Sequence, residues 1–123
     1  MSSKLRISNK ASSKLESLSN RLALRKNIIC RLAVGRSLNE KKSIEEFETQ
    51  DSSGYEFNRY TITGEHDGIY KALIVQYEKK KLDDKQYFTK YLRNHMERGI
   101  DLLYEEYEKI NSPVEFLLML SKS

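Results

Sequence analysis

Apolar residues recur along the chain first with period two and then at helical spacing. Lys4-Leu5-Arg6-Ile7-Ser8 alternates polar and apolar side chains, the mark of a short half-buried strand or an extended arm. Ala11, Leu15, Leu18 and Leu22 follow at steps of four, three and four, which lines one face of an α-helix. Ser8 is placed to cap that helix, with Ser13 and Glu16 as an alternative capping-box start. After Ala23-Leu24-Arg25-Lys26, Asn27 is the expected cap of a second helix carrying Ile28, Ile29, Leu32, Ala33 and Leu38.

The pattern then breaks. Residues 43–56 are acidic and Ser-rich, with Glu45, Glu46, Glu48 and Asp51 before Ser52-Ser53-Gly54, and predict a solvated loop between two lobes. Tyr55 to Gly64 has strand-like residue types in a short span, and strand and ordered loop are equally compatible with 57–63. Asp67 is the expected cap of a third helix with Ile69, Leu73 and Tyr77 on one stripe, ending in Lys79-Lys80-Lys81, where cations suit a helix C-terminus. A long fourth helix, about 84–109, aligns Phe88, Leu92, His95, Gly99, Leu102 and Leu103 on one side. Gly99 in that stripe predicts a close helix crossing. Ser112-Pro113-Val114-Glu115 supplies a cap, a first-turn proline and a capping-box acid for a short last helix bearing Phe116, Leu117 and Leu120.

The expected fold is mainly α: a small helical domain of about five helices with a short extended N-terminal arm. Its N-terminal half is ribbon-helix-helix-like, an architecture in which two chains pair their arms. The divisions are a basic arm-helix-turn-helix lobe (1–42), the acidic loop (43–56) and a helical lobe (57–123), within one compact domain overall. Internal repeats and low-complexity tracts are absent.

At 123 residues the chain suits one core rather than a large multi-site enzyme. No run approaches the roughly 18 to 20 apolar residues that a membrane span needs, and charged residues interleave with Leu5 and Ile7, so neither a membrane helix nor a signal peptide is expected. Cys30, the single cysteine, fits a reducing compartment and a cytoplasmic protein.

Charge sharpens the picture. The net charge is only +4, yet Met1–Lys42 holds eleven Lys or Arg against Glu16 and Glu40, a local +9, and leaves −5 for the remainder. Such a concentrated cation can neutralise several phosphates. Lys10, Lys14, Arg21, Arg25, Lys26, Arg31 and Arg36 are the expected DNA-binding residues, with Lys4 and Arg6 behind them.

Catalytic material is thin. Glu65-His66-Asp67 is a conceivable metal or acid/base cluster, but neighbouring residues seldom converge on one ion, and helix capping is the favoured reading. His95 reads as a buried histidine bonded to a nearby backbone or tyrosine group, and Cys30 as a small core residue. Phosphate-loop and nucleophile-elbow motifs are missing. No catalytic residue, metal or cofactor is expected, and the alternatives kept open are a ribbon-helix-helix regulator, a metal-dependent nuclease using Glu65, His66, Asp67 and His95, and a scaffold that binds only proteins.

Several segments carry a resemblance to a known family. They are Ile7-Ser8 through Leu15 and Leu18; Asn27-Ile28-Ile29-Cys30-Arg31-Leu32-Ala33 with Arg36-Ser37-Leu38; Phe57-Asn58-Arg59-Tyr60-Thr61-Ile62-Thr63-Gly64-Glu65 with Asp67; and His95-Met96-Glu97-Arg98-Gly99-Ile100 with Leu103. In this order, over nearly the full length, the sequence resembles the bacterial DNA sulfur-modification protein family DndE. The resemblance implies a small helical subunit of the machinery that replaces a non-bridging phosphate oxygen of DNA with sulfur. It further implies binding to double-stranded DNA with a preference for nicks, assembly as a homotetramer, and work beside a sulfotransfer subunit, an ATPase subunit and a cysteine desulfurase. Arg59, inside the most specific segment, is expected either to bridge a phosphate or to anchor the segment to Glu65 or Asp67, with the structural role favoured.

Overall fold

A computed structural model describes residues 4–110 and 112–121. Strand β1 (Lys4–Arg6) leads through Ser8 into α1 (Asn9–Leu22), and α2 (Lys26–Leu38) follows after a left-handed turn at Ala23. A 3-10 turn at Ile44–Glu46 precedes β2 (Glu56–Asn58), the one-turn α3 (Arg59–Ile62) and α4 (Asp67–Glu78). The expected fourth helix is one continuous rod of three parts: α5 (Asp84–Gln86), a π-helical stretch (Tyr87–Leu92) and α6 (Arg93–Lys109). Helix α7 (Pro113–Ser121) ends the description.

The mainly helical fold is as expected, with one correction to the arm. β1 pairs antiparallel with β2 of the same chain, Leu5 opposite Phe57, so the arm makes a ladder within its own chain. The 57–63 segment resolves into both readings, the end of a strand and then a helical turn. Asn58 changes one into the other: its extended backbone closes β2 while its side chain accepts from the Tyr60 amide.

Ser8 caps α1 as predicted, accepting from the Ala11 amide at 3.0 Å. Asn27 does not cap α2; Arg25 holds that position without a side-chain bond, and Asn27 reaches instead for the Thr61 carbonyl. Asp67 likewise is the first residue of α4 rather than its cap, because its carboxylate is held by Arg59.

The core is a single cluster that includes Leu15, Leu18, Ile29, Phe88, Met96, Ile100 and Phe116. Its centre is the crossing of α2 with α6, set by Gly99: a Cβ there would lie 1.8 Å from the Ala33 carbonyl oxygen. The expected close approach is thus literal.

Candidate nucleic-acid interface

The seven cations expected to meet DNA divide by their partners. Lys14 binds Asp101 at 3.0 Å, Arg21 binds Glu108 at 2.9 Å, and Arg36 binds Glu106 and Glu40 at 2.8 and 2.9 Å. Three of these acids lie on α6, so the sequence's acidic remainder folds back to neutralise part of its basic third. Lys14 and Arg21 also face the rings of Tyr104 and Tyr107.

Among the described residues, Lys10, Arg25, Lys26 and Arg31 have no carboxylate partner. Lys10 and Arg25 are exposed. Lys26 stands 4.9 Å from the centroid of Tyr55, whose hydroxyl donates to Glu16. Arg31 donates from Nε to the Ile62 carbonyl at 2.7 Å and from Nη2 to that of Thr61 at 3.1 Å, tying α3 to α2 while its own charge stays unneutralised. Lys4 is exposed beside Asn58, and Arg6 shares Glu56 at 3.6 Å. Arg25, Lys26 and Arg31 therefore surround the start of α2. That helix end has no side-chain cap and no acid in its first turn, so the positive pole of its dipole is uncompensated. Cations at such a helix end are suited to anions.

Arg59 is structural. It forks to Asp67 at 2.7 Å and to Asp84 at 2.6 Å, and those bonds, Asp84 first, push its pKa still higher. Glu65, the other expected partner, instead faces His66 at 3.7 Å on the surface. Glu65, His66 and Asp67 do not converge, and among the described residues no three His, Cys, Asp or Glu could hold a metal ion.

Sequence reasoning missed a buried polar network behind α2. Arg98 Nε donates to Ser37 Oγ at 2.8 Å, Ser37 Oγ to His95 Nδ1 at 2.8 Å, and His95 Nε2 to Glu78 at 3.0 Å. This is a serine, a histidine and a carboxylate in a row, yet Ser37 and His95 have no exposed surface and the Glu78 side chain almost none. Ser37 Oγ is further occupied by Arg98, so the row is an internal brace. Burial, with Arg98 adding to it, lowers the His95 pKa to about 4 against the opposing pull of Glu78. The partners differ from the backbone or tyrosine group expected, although Tyr77 meets the ring edge-on. A second buried carboxylate, Glu97, accepts from the Ser8 amide and hydroxyl, both at 2.8 Å, and so completes the α1 cap from a distant helix. Cys30 is core as expected; burial, then the Glu97 charge, lifts its thiol to about 12. The one signal for this network was the run of charged residues (Arg93, Glu97, Arg98) threaded through the apolar stripe of the longest helix.

The family model for the DNA sulphur modification protein DndE matches residues 4–111. This chain belongs to the DndE family. Among solved structures, DndE from Escherichia coli B7A, described as involved in DNA phosphorothioation modification, shares 22% identity at a TM-score of 0.67, covering 81% of this chain and 96% of its own. A DndE G21/24K mutant, described as involved in DNA phosphorothioation, shares 20% at a TM-score of 0.61, over 83% and 97%. A search of curated proteins returns no match. The DndE fold is thus common to proteins that share about one residue in five. No helix of this DndE-family chain, among its described residues, is long and apolar enough to cross a membrane.

Proposed function

We propose that this protein is a cytoplasmic DNA-binding accessory subunit of the phosphorothioation machinery. It grips the phosphates of duplex DNA through Lys10, Arg25, Lys26 and Arg31, without catalysis or a cofactor of its own. The supporting observation is the start of α2, where three cations without carboxylate partners surround an uncapped helix end in a DNA sulphur modification family. Contacts of this kind read charge rather than base edges, so binding is independent of sequence. A nicked duplex bends at less elastic cost than an intact one, and a homotetramer presenting several such surfaces exploits that; nicked DNA is therefore the preferred ligand. The sulfotransfer and ATPase subunits are the protein partners, and they supply the chemistry.

Fluorescence anisotropy on matched nicked and intact duplexes, over a salt series, tests this. Lys10→Ala, Arg25→Ala and Lys26→Ala each flatten the salt slope by about one unit. Lys14→Ala, Arg21→Ala and Arg36→Ala leave it nearly unchanged, since their charges are already matched. Equal affinity for both duplexes removes the nick preference. Absence of salt-sensitive binding at low salt removes the DNA reading and leaves a subunit that meets only proteins.

A further inference from the structure

Tyr60 is placed unlike the other tyrosines. Of the eight in the chain, the rest are buried or half-buried, whereas Tyr60 is 77% exposed, more than any other large apolar or aromatic side chain described. Its place on the single turn α3 explains this. Arg59 turns inward to Asp67 and Asp84, and Ile62 is fully buried, so the face that carries Tyr60 looks out. Among the described residues its ring and hydroxyl have no partner.

Tyr60 is also set among the cations of the candidate interface. Next to it, the Thr61 carbonyl accepts from Arg31 Nη2 at 3.1 Å and from Asn27 Nδ2 at 3.4 Å, which lays α3 against the start of α2. On the other side, the Asn58 side chain accepts from the Tyr60 amide at 2.8 Å, and Asn58 lies opposite the exposed Lys4 in the two-stranded ladder. Tyr60 thus stands between Lys4 and Arg31. The other tyrosine of this region, Tyr55, is already engaged: Lys26 lies 4.9 Å from its ring centroid, and its hydroxyl donates to Glu16.

An open aromatic ring flanked by cations is the combination that holds unstacked bases, the cations following the backbone while the ring stacks on a base face. In an intact duplex both faces of each base are covered by its neighbours. At a nick one strand ends and the step there opens at less elastic cost, so a ring can enter as a wedge and replace the lost neighbour. We propose that Tyr60 stacks on the base at the broken strand end of a nicked duplex, while Lys4 and Arg31 hold the flanking phosphates. Every base offers such a face, so the contact leaves binding independent of sequence. The inference rests on the DNA reading above and names the residue that tells a nicked duplex from an intact one.

Fluorescence anisotropy on matched nicked and intact duplexes, with 2-aminopurine at the nick as a second reporter, tests it. Tyr60→Ala weakens binding to the nicked duplex about tenfold, the loss of one stacked base, and keeps the parent's affinity for the intact duplex. It also keeps the parent's salt slope, because stacking neutralises no phosphate, whereas Lys26→Ala flattens the slope on both duplexes. Tyr60→Phe behaves as the parent, since the ring and not the hydroxyl makes the contact. The 2-aminopurine emission changes when the parent binds and stays flat with Tyr60→Ala. That variant melts with the parent, as the ring packs against nothing inside the chain. Unchanged affinity of Tyr60→Ala for the nicked duplex overturns the contact alone, as does equal weakening on both duplexes or a loss confined to binding of a partner subunit. A parent with equal affinity for both duplexes overturns the contact and the nick preference together, and one without salt-sensitive binding overturns the DNA reading as well.

Discussion

His95 owes its protonation state to enclosure. Its folded pKa of about 4 lies below the ordinary 6.5, so the unfolded chain binds a proton that the folded chain refuses between those values. The stability that His95 contributes is therefore fully present above pH 6.5 and is lost as the pH falls towards 4. Urea denaturation across that range measures the slope, and His95→Gln flattens it. Gly99 tolerates no side chain for a different reason: a Cβ there would lie 1.8 Å from the Ala33 carbonyl oxygen, and backbone cannot rotate away. Gly99→Ala is expected to cost about 3 kcal/mol by forcing α2 off α6, read from the denaturation midpoint. Gly99 was legible because a glycine in an apolar stripe has few other uses. The partners of His95 were not, because Ser37 and Glu78 come from helices whose packing no local pattern specifies.

Helix positions were legible from apolar spacing and from caps such as Ser8 and Ser112. Caps failed where a side chain had a better partner elsewhere, as with Asn27 at Thr61 and Asp67 at Arg59. The 47–54 segment shows what composition misses. Its acidic, Ser-rich sequence suggests a free loop, but Arg93, itself buried, donates to the carbonyls of Arg6, Gln50 and Asp51. Asp51 accepts from the Asn9 amide, and the Gly54 amide donates to Ile7. Arg93→Ala strands those carbonyls, which is expected to lower stability by about 3 kcal/mol and to accelerate proteolysis within 47–54. Cleavage there in the parent chain is expected to be correspondingly slow. Arg93→Lys rescues little, since one ammonium cannot span the three acceptors of a planar guanidinium.

Across the whole molecule, the basic third and the acidic remainder are not separate surfaces. Asp101, Glu106 and Glu108 of α6 take up Lys14, Arg36 and Arg21, which divides the candidate DNA residues into matched and unmatched sets. Sequence could locate the excess charge but not this division, which depends on α6 lying alongside α1 and α2. Arg36→Ala should lower stability by about 1 kcal/mol or less, in keeping with a partly exposed pair, a change visible by thermal melting but not in the salt slope for DNA. The same long-range contacts have a consequence during synthesis. Ser8 waits for Glu97, Arg6 for Arg93 and Lys14 for Asp101, so the first helix leaves the ribosome long before the residues that finish its cap. Structure that joins distant parts of a chain forms late. A nascent chain halted before residue 93 should remain protease-sensitive, its cations free to meet any nearby polyanion, and folding itself withdraws Lys14, Arg21 and Arg36 from that encounter.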